Sequence, residues 1–145
     1  MDMAWHALRL GLAIGLAVLV GCGGPSNVGS VTGKVTLDGQ PLADAVVTFS
    51  PTKEGGSSGV GKTDAGGNYV LSYYAGVSGA EIGENKVSIT TITQGKERVA
   101  MEYNSKTKLK AEVKAGKNVF DWDLKGGGAI YTPEPAGLPS GKKKR

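Results

Sequence analysis

The chain has 145 residues, enough for one small domain, and carries a formal net charge of +4 at pH 7. Cys22 is its single cysteine and His6 its single histidine, so the sequence after Cys22 excludes disulfides, zinc sites with His or Cys ligands, thiol nucleophiles and Ser-His-Asp triads. Lys142–Arg145 account for the excess positive charge, so the rest of the chain gives no electrostatic reason to expect nucleic-acid binding.

The N-terminal segment, residues 1–21, is typical of a helical signal peptide. An apolar run, Leu10–Val20, follows Arg9. A helix of this length rises about 16 Å, roughly half the thickness of the hydrocarbon core, so it is too short to span a bilayer. The run therefore fits the apolar region of a secretory signal, which ends in small residues before the cleavage site.

The segment ends in Leu19-Val20-Gly21-Cys22, which resembles the bacterial lipobox. The resemblance implies cleavage before Cys22, diacylation of its thiol and acylation of the new amino group. Gly23 follows the cysteine, whereas an aspartate there would favour the inner membrane in Gram-negative sorting, so we predict the outer membrane. The alternative is an ordinary signal peptide in which Cys22 falls just after the cleavage site by chance.

Residues 22–29 are predicted to be a lipidated, flexible tether. In the first predicted strand, Val31, Gly33, Val35 and Leu37 share one face, and Asp38-Gly39 after it is typical of a tight hairpin turn. A second strand, 45–50, shows the same alternation and ends at a proline. Residues 53–58 are then predicted to form a loop rich in glycine and serine.

A third short strand, near 59–63, leads into a predicted hairpin, 63–69, whose glycines take strained dihedral angles. Tyr69, Leu71 and Tyr73 then share one face, so the adjacent Tyr74 is expected to point outward. Residues 75–84 are predicted to form a second glycine-rich loop.

Three further strands complete the predicted domain. Val87 and Ile89 alternate in one strand, residues 109–113 form another, and the last has Phe120, Trp122 and Leu124 facing inward. About seven short strands between residues 30 and 125, with no convincing helix, predict an all-β domain, a seven-stranded antiparallel β-sandwich. From Gly126 the composition shifts to glycine, proline and lysine, so 126–145 is predicted to be a disordered basic tail.

Gly33–Phe49 contains an Asp-Gly turn, a Pro-Leu step and an Ala-x-Val-x-Phe strand. With Thr63–Leu71 and Tyr103–Leu124, this segment resembles the carboxypeptidase regulatory-like, or transthyretin-like, domain, and the lipobox adds a resemblance to small planctomycete-type lipoproteins that carry it. The resemblance implies a Greek-key sandwich that serves as an accessory or structural module. It carries over no catalytic residues, because the transthyretin-like hydrolases depend on histidines that this domain lacks.

Two features are candidates for ligand binding. Tyr74, beside loops 53–58 and 75–84, is a candidate platform for stacking against a sugar; the alternative is an ordinary exposed tyrosine.

Asp121 and Asp123 project from one strand face, but calcium takes six or more oxygen ligands, so we interpret the pair as a solvated face and predict no metal site. Asp64 is interpreted as a turn residue. The basic cluster Lys142–Arg145 either holds anionic envelope polymer or lipid headgroups, or is a solvated, disordered end.

We therefore predict a lipid-anchored envelope protein without catalytic residues or cofactors. Its domain is expected to serve as a structural or protein-interaction module, with membrane contact through the lipid and another envelope protein or polymer as partner. The alternative is a module that binds glycan or envelope polymer through Tyr74 and loops 53–58 and 75–84. The sequence gives no indication of the oligomeric state.

Overall fold

A computed structural model of the chain describes residues 27–74, 76–92, 96–127 and 129. The predicted leader, Cys22 and most of the predicted tail lie outside these residues. The described strands are β1 (Val28–Leu37), β2 (Gln40–Pro41), β3 (Val46–Pro51), β4 (Gly59–Lys62), β5 (Asn68–Val70), β6 (Ser72–Tyr74), β7 (Val77–Ser78), β8 (Ala80–Glu81), β9 (Gly83–Thr90), β10 (Lys110–Val113), β11 (Lys117–Val119) and β12 (Trp122–Leu124), and a 3-10 helix spans Met101–Tyr103. The all-β prediction is confirmed. The described residues contain no helix with the length and hydropathy of a membrane span.

The first sheet is built around the long strand β1. Antiparallel partners β2, β5 and β8 lie along one edge of β1, and β11 and β12 pair with it in parallel on the other edge. The expectation of a purely antiparallel domain is therefore wrong at this one edge. Neighbouring parallel strands need a long crossover connection. Here nearly the whole domain lies in the chain between β1 and β11.

The second sheet is antiparallel throughout, in the order β10-β9-β3-β4-β6-β7. The predicted hairpin at 63–69 is not formed, because β4 pairs with β3 and β6 of this sheet while β5 pairs with β1 of the first. Residues 63–67 are instead a connection between sheets, and the chain returns to the second sheet at Ser72, where β6 begins. Of the two glycines in this connection, Gly67 alone has a positive φ, 79°.

The described residues also contain more, shorter strands than the seven predicted. Residues 76–84, expected to be a loop, include β7 and β8, and β9 begins at Gly83. Strands of two residues are too short for alternation to reveal. β1 begins at Val28, inside the segment 22–29 that we assign to the tether.

Residues from both sheets enclose one core, consistent with a sandwich. Its fully or nearly fully buried members are Val31, Val35, Leu42, Ala45, Val47, Phe49, Tyr69, Leu71, Ala80, Val87, Ile89, Val99, Ala111, Val113 and Leu124. Phe120 and Trp122 are half-buried and pack against Phe49, with ring centroids 5.6 and 6.3 Å from it. The inward faces predicted for β1, β3, β9 and β12 are therefore confirmed.

The domain has two ends, which we name by the path of the chain. The entry end, where β1 begins, also carries residues 51–58, 76–84 and 113–117: Val28 pairs with Glu81, and the Ser30 amide donates to the Gly116 carbonyl over 2.8 Å. The far end carries the Asp38-Gly39 turn, where both residues have positive φ as the predicted hairpin requires. Asp38 Oδ1 accepts a 2.9 Å hydrogen bond from the Gly126 amide, so the last described residues lie at the far end.

Candidate functional site

Tyr74 lies on β6 at the entry end, and its side chain is 73% exposed. Tyr73 beside it is half-buried, so the predicted alternation of the two tyrosines is confirmed. Tyr74 pairs with Val77, inside the second loop predicted from the sequence, 75–84. The neighbouring Tyr73 and Ser57 of the first loop, 53–58, both bind Glu81. The structure brings these two loops together.

A buried carboxylate joins the loops. Glu81 is only 6% exposed, and its Oε1 accepts a 2.6 Å hydrogen bond from the Tyr73 hydroxyl and a 3.2 Å bond from the Ser57 amide. Lys53 Nζ lies 3.7 Å from Oε2. The hydrogen bonds from Tyr73 and then Ser57 hold the pKa of the Glu81 carboxyl below its usual range, and the same bond raises the pKa of Tyr73. We call these four residues the Glu81 cluster.

Close backbone packing positions Glu81. Gly79, with φ at 129°, lies so close to β1 that an added Cβ would overlap the Gly29 carbonyl oxygen. Asn85 Nδ2 donates to the carbonyl oxygens of Glu81 and Gly83 over 2.8 and 2.9 Å, which fixes the short turn between β8 and β9. The main chain is thus fixed both before and after Glu81. Its Oε2 and Asn85 Oδ1 have no hydrogen-bond donor among the described residues.

A second buried carboxylate, Glu97, lies at the far end of the domain. Its Oε1 accepts hydrogen bonds from the amides of Thr91, Arg98 and Val99 over 2.9–3.1 Å and from the Thr91 hydroxyl, while Oε2 accepts from the Thr90 hydroxyl. Burial raises the pKa of Glu97, but these hydrogen bonds outweigh it and hold the pKa below its usual range. An open cavity of about 370 Å³ borders this carboxylate; its lining residues are Ser88, Thr90, Ile92, Glu97, Asn104 and Ser105.

Asp121, just before β12, and Asp123, on β12, are hydrogen-bonded to β1. Asp121 Oδ1 accepts from the Lys34 amide over 2.8 Å, and Asp123 accepts from the Thr36 hydroxyl and from Lys125. Both side chains are exposed and border a cavity of about 160 Å³. Among the described residues, no group of three or more His, Cys, Asp or Glu side chains is arranged to hold a metal ion.

Asp64 stabilises a turn. Its Oδ1 accepts from the Gly66 and Asn68 amides over 2.8 and 2.9 Å, which closes the connection between the two sheets. These hydrogen bonds, led by those from Asn68, lower the pKa of the carboxyl. This is the role that the sequence predicted for Asp64.

The remaining predicted site lies outside the described residues: Cys22, with Leu19, Val20 and Gly21 before it. Sequence reasoning missed both Glu81 and Glu97, because a glutamate in a loop gives no signal that it is buried. Comparisons of the chain with protein-family models, curated proteins and solved structures found no match.

Proposed function

We propose that the chain is an exported lipoprotein, anchored through Cys22 in the outer membrane, whose β-domain is a structural or protein-interaction module. The observation that carries the proposal is the Leu-Val-Gly-Cys sequence ending only a few residues before β1 begins at Val28. Three acyl chains on one cysteine exceed the two signals that stable membrane anchoring takes. The domain would then be held at the membrane by its first strand.

The environments of the acidic residues support a role other than catalysis. Glu81 and Glu97 are each held by backbone amides and hydroxyl groups, which stabilise the charged form and leave it poorly suited to exchange protons near neutral pH. No histidine follows Cys22 in the sequence. We therefore propose a non-enzymatic protein without a cofactor, in which buried carboxylates connect loops.

We also propose that the two sheets form a Greek-key sandwich of the transthyretin-like kind. The shared core and the resemblance of Gly33–Phe49 support this finer description. An experimental structure would test it: a sheet order that differs from the transthyretin-like one would contradict the proposal, while the all-β architecture would stand.

Replacement of the acyl acceptor tests the anchor. We expect Cys22→Ser to abolish incorporation of labelled fatty acid and to move the protein out of the detergent-soluble membrane fraction, because the serine hydroxyl does not replace the thiol in the lipid transfer. Ser26→Ala is the matched control and should behave as the unaltered chain. A Cys22→Ser protein that still incorporates fatty acid would contradict the anchor.

The interaction role calls for a separate experiment in the native envelope. Crosslinking of the lipidated protein in its own membrane should give a reproducible protein partner. The absence of any protein crosslink under conditions that crosslink other envelope proteins would contradict the interaction role, but not the anchor.

A glycan-binding role is the second candidate, because Tyr74 is 73% exposed beside two loops that the Glu81 cluster holds together. A tyrosine presents an apolar ring face and a polar hydroxyl, a combination that is enriched at binding interfaces. Detergent-solubilised protein on a glycan array tests it. Binding that Tyr74→Ala removes and Gln40→Ala at the far end preserves would favour this role; an array without any bound glycan would exclude it for the glycans displayed.

A further inference from the structure

We infer that the entry end of the domain rests against the phospholipid headgroup layer, with Tyr74 at the level of the headgroups. The inference rests on the proposed lipid anchor at Cys22. Five residues lie between Cys22 and Val28, so the segment has six residue-to-residue steps, which at 3.3–3.6 Å each reach at most about 20–22 Å. A tether of this length keeps the start of β1 near the bilayer surface.

The first described residues are hydrogen-bonded to the entry end. The Asn27 carbonyl oxygen accepts a 2.9 Å hydrogen bond from the Ile82 amide, and the Ser30 amide binds the Gly116 carbonyl oxygen. The Glu81 cluster connects residues 53–58 to β8, which pairs with the start of β1. The first described residues are therefore linked directly to residues 80–82 and Gly116, and through Glu81 to residues 53–58. A short tether would bring these segments to the membrane together.

The exposed side chains of this end suit a headgroup layer. Tyr74 and Ile82 are 73% and 37% exposed, and a tyrosine combines an apolar ring with a polar hydroxyl, as residues at the membrane interface do. Lys114 and Lys117 are also exposed, and neither forms an ion pair within the described part of the chain. Their ammonium groups are available to lipid phosphates.

Net charge does not drive this contact. Glu54 and Glu112 are exposed on the same end and balance the two lysines. Attraction to anionic lipid, which scales with the number of basic side chains, is therefore weak here. We expect the contact on vesicles of phosphatidylcholine, whose headgroup is zwitterionic, and we expect it to depend on the length of the tether.

The orientation has a consequence for partners. With the entry end at the bilayer, the Asp38-Gly39 turn and residues 63–68 point away from the membrane, at the opposite end of β1. A partner that approaches from the periplasmic or outer side meets the far end first. Loops 53–58 and 76–84 are then the less accessible surface.

Site-directed fluorescence quenching tests the orientation in the full lipidated chain. Because acylation occupies the thiol of Cys22, Tyr74→Cys and Gln40→Cys each provide one free thiol, at the entry end and the far end. A fluorophore is attached to this thiol, and each protein is reconstituted in phosphatidylcholine vesicles that contain lipid with a spin-labelled headgroup. The spin label quenches a fluorophore that lies close to the headgroups. We expect quenching at position 74 to exceed that at position 40 at least threefold. Equal quenching, or stronger quenching at position 40, would overturn the inference.

Lengthening the tether tests the orientation of the domain independently of the lipid anchor. Insertion of about 20 glycine and serine residues after Gly24 raises the root-mean-square span of the tether from about 13 Å to about 28 Å. We expect fatty-acid incorporation to be unchanged and quenching at position 74 to fall at least twofold. Unchanged quenching would overturn the role of the tether, whereas a chain that incorporates no fatty acid in the first place overturns the proposed anchor.

Discussion

The Tyr69 hydroxyl donates a 2.7 Å hydrogen bond to the Phe120 carbonyl oxygen, across the middle of β1. Tyr69 lies opposite Gly33 in the β5–β1 pair, and Phe120 lies on the other edge of β1, between β11 and β12. Trp122 Nε1 donates in turn to the Tyr69 oxygen over 3.1 Å. The Tyr69 side chain therefore reaches from β5 across β1 to the break between β11 and β12.

Gly33 makes this arrangement possible. A Cβ there would overlap the Phe120 carbonyl oxygen and lie 2.9 Å from the Tyr69 hydroxyl oxygen, so the tyrosine can cross β1 only over a glycine. We expect Gly33→Ala to lower the free energy of unfolding by roughly 1–3 kcal/mol, the usual range for overpacking. Urea denaturation measures it. Val70→Ala, at an exposed position on β5, should change stability by less than about 0.5 kcal/mol.

Removal of the Tyr69 hydroxyl should be costly although it leaves the ring in place. In Tyr69→Phe, the Phe120 carbonyl oxygen and Trp122 Nε1 each lose a partner in a half-buried site, so we expect a loss of roughly 1–3 kcal/mol in unfolding free energy. Tyr74→Phe is the matched control, because that side chain is exposed, and it should be nearly neutral. Equal stabilities for the two variants would contradict a structural role for this hydrogen bond.

The same tyrosine predicts a dependence of stability on alkaline pH. Burial raises the pKa of Tyr69 to about 12, above its ordinary value of 10.0. A group with a raised folded-state pKa contributes its stability in full below the unfolded pKa and loses it as pH rises through the folded pKa. Unfolding free energy should therefore fall between pH 10 and 12. Tyr69→Phe should lose this part of the pH dependence, and a profile identical to that of the unaltered chain would exclude Tyr69 as its source.

The strand faces were predictable from the sequence, but several strand partners were not. Alternation is local, so Val31 and Val35 of β1 and Val87 and Ile89 of β9 could be assigned to the core from neighbouring residues alone. β5 pairs with β1, and its Tyr69 binds Phe120, and both partners are far from β5 in the sequence. Pairing of β1 with the last strands likewise involves residues that no short pattern connects.

The candidate site was predictable to a similar degree. The sequence indicated the exposed Tyr74 and the two glycine-rich loops beside it. It did not indicate that Glu81 joins those loops, because the donors come from Ser57 and Tyr73. The burial of a carboxylate is determined by which donors reach it, and that depends on the folded chain.

Loss of the charge on Glu81 should release the loop 53–58. In Glu81→Gln the side chain keeps its size, but the bond from the Ser57 amide is no longer to a carboxylate, and Lys53 loses its counter-charge. We expect amide hydrogen exchange in residues 53–58 to accelerate about tenfold, consistent with the loss of a charge-assisted hydrogen bond. Glu54→Gln in the same loop, an exposed position, should leave exchange unchanged. Equal acceleration in both variants would rule out the Glu81 cluster as the cause.

Glu97 should make a larger contribution to global stability, because it binds several backbone amides at once. Glu97→Gln replaces an acceptor oxygen with an amide group that faces donors, so we expect a loss of roughly 2–3 kcal/mol near neutral pH. The folded-state pKa of Glu97 is lowered, so its contribution is present above the unfolded pKa and is lost as pH falls through the folded pKa. The stability difference between the unaltered chain and Glu97→Gln should therefore narrow in acid, as measured by urea denaturation at a series of pH values. Glu102→Gln, at an exposed position in the 3-10 helix, is the control and should leave the unfolding free energy nearly unchanged at every pH. If the loss of unfolding free energy in Glu97→Gln stays constant into strong acid, the charge of Glu97 is not what stabilises this end of the domain.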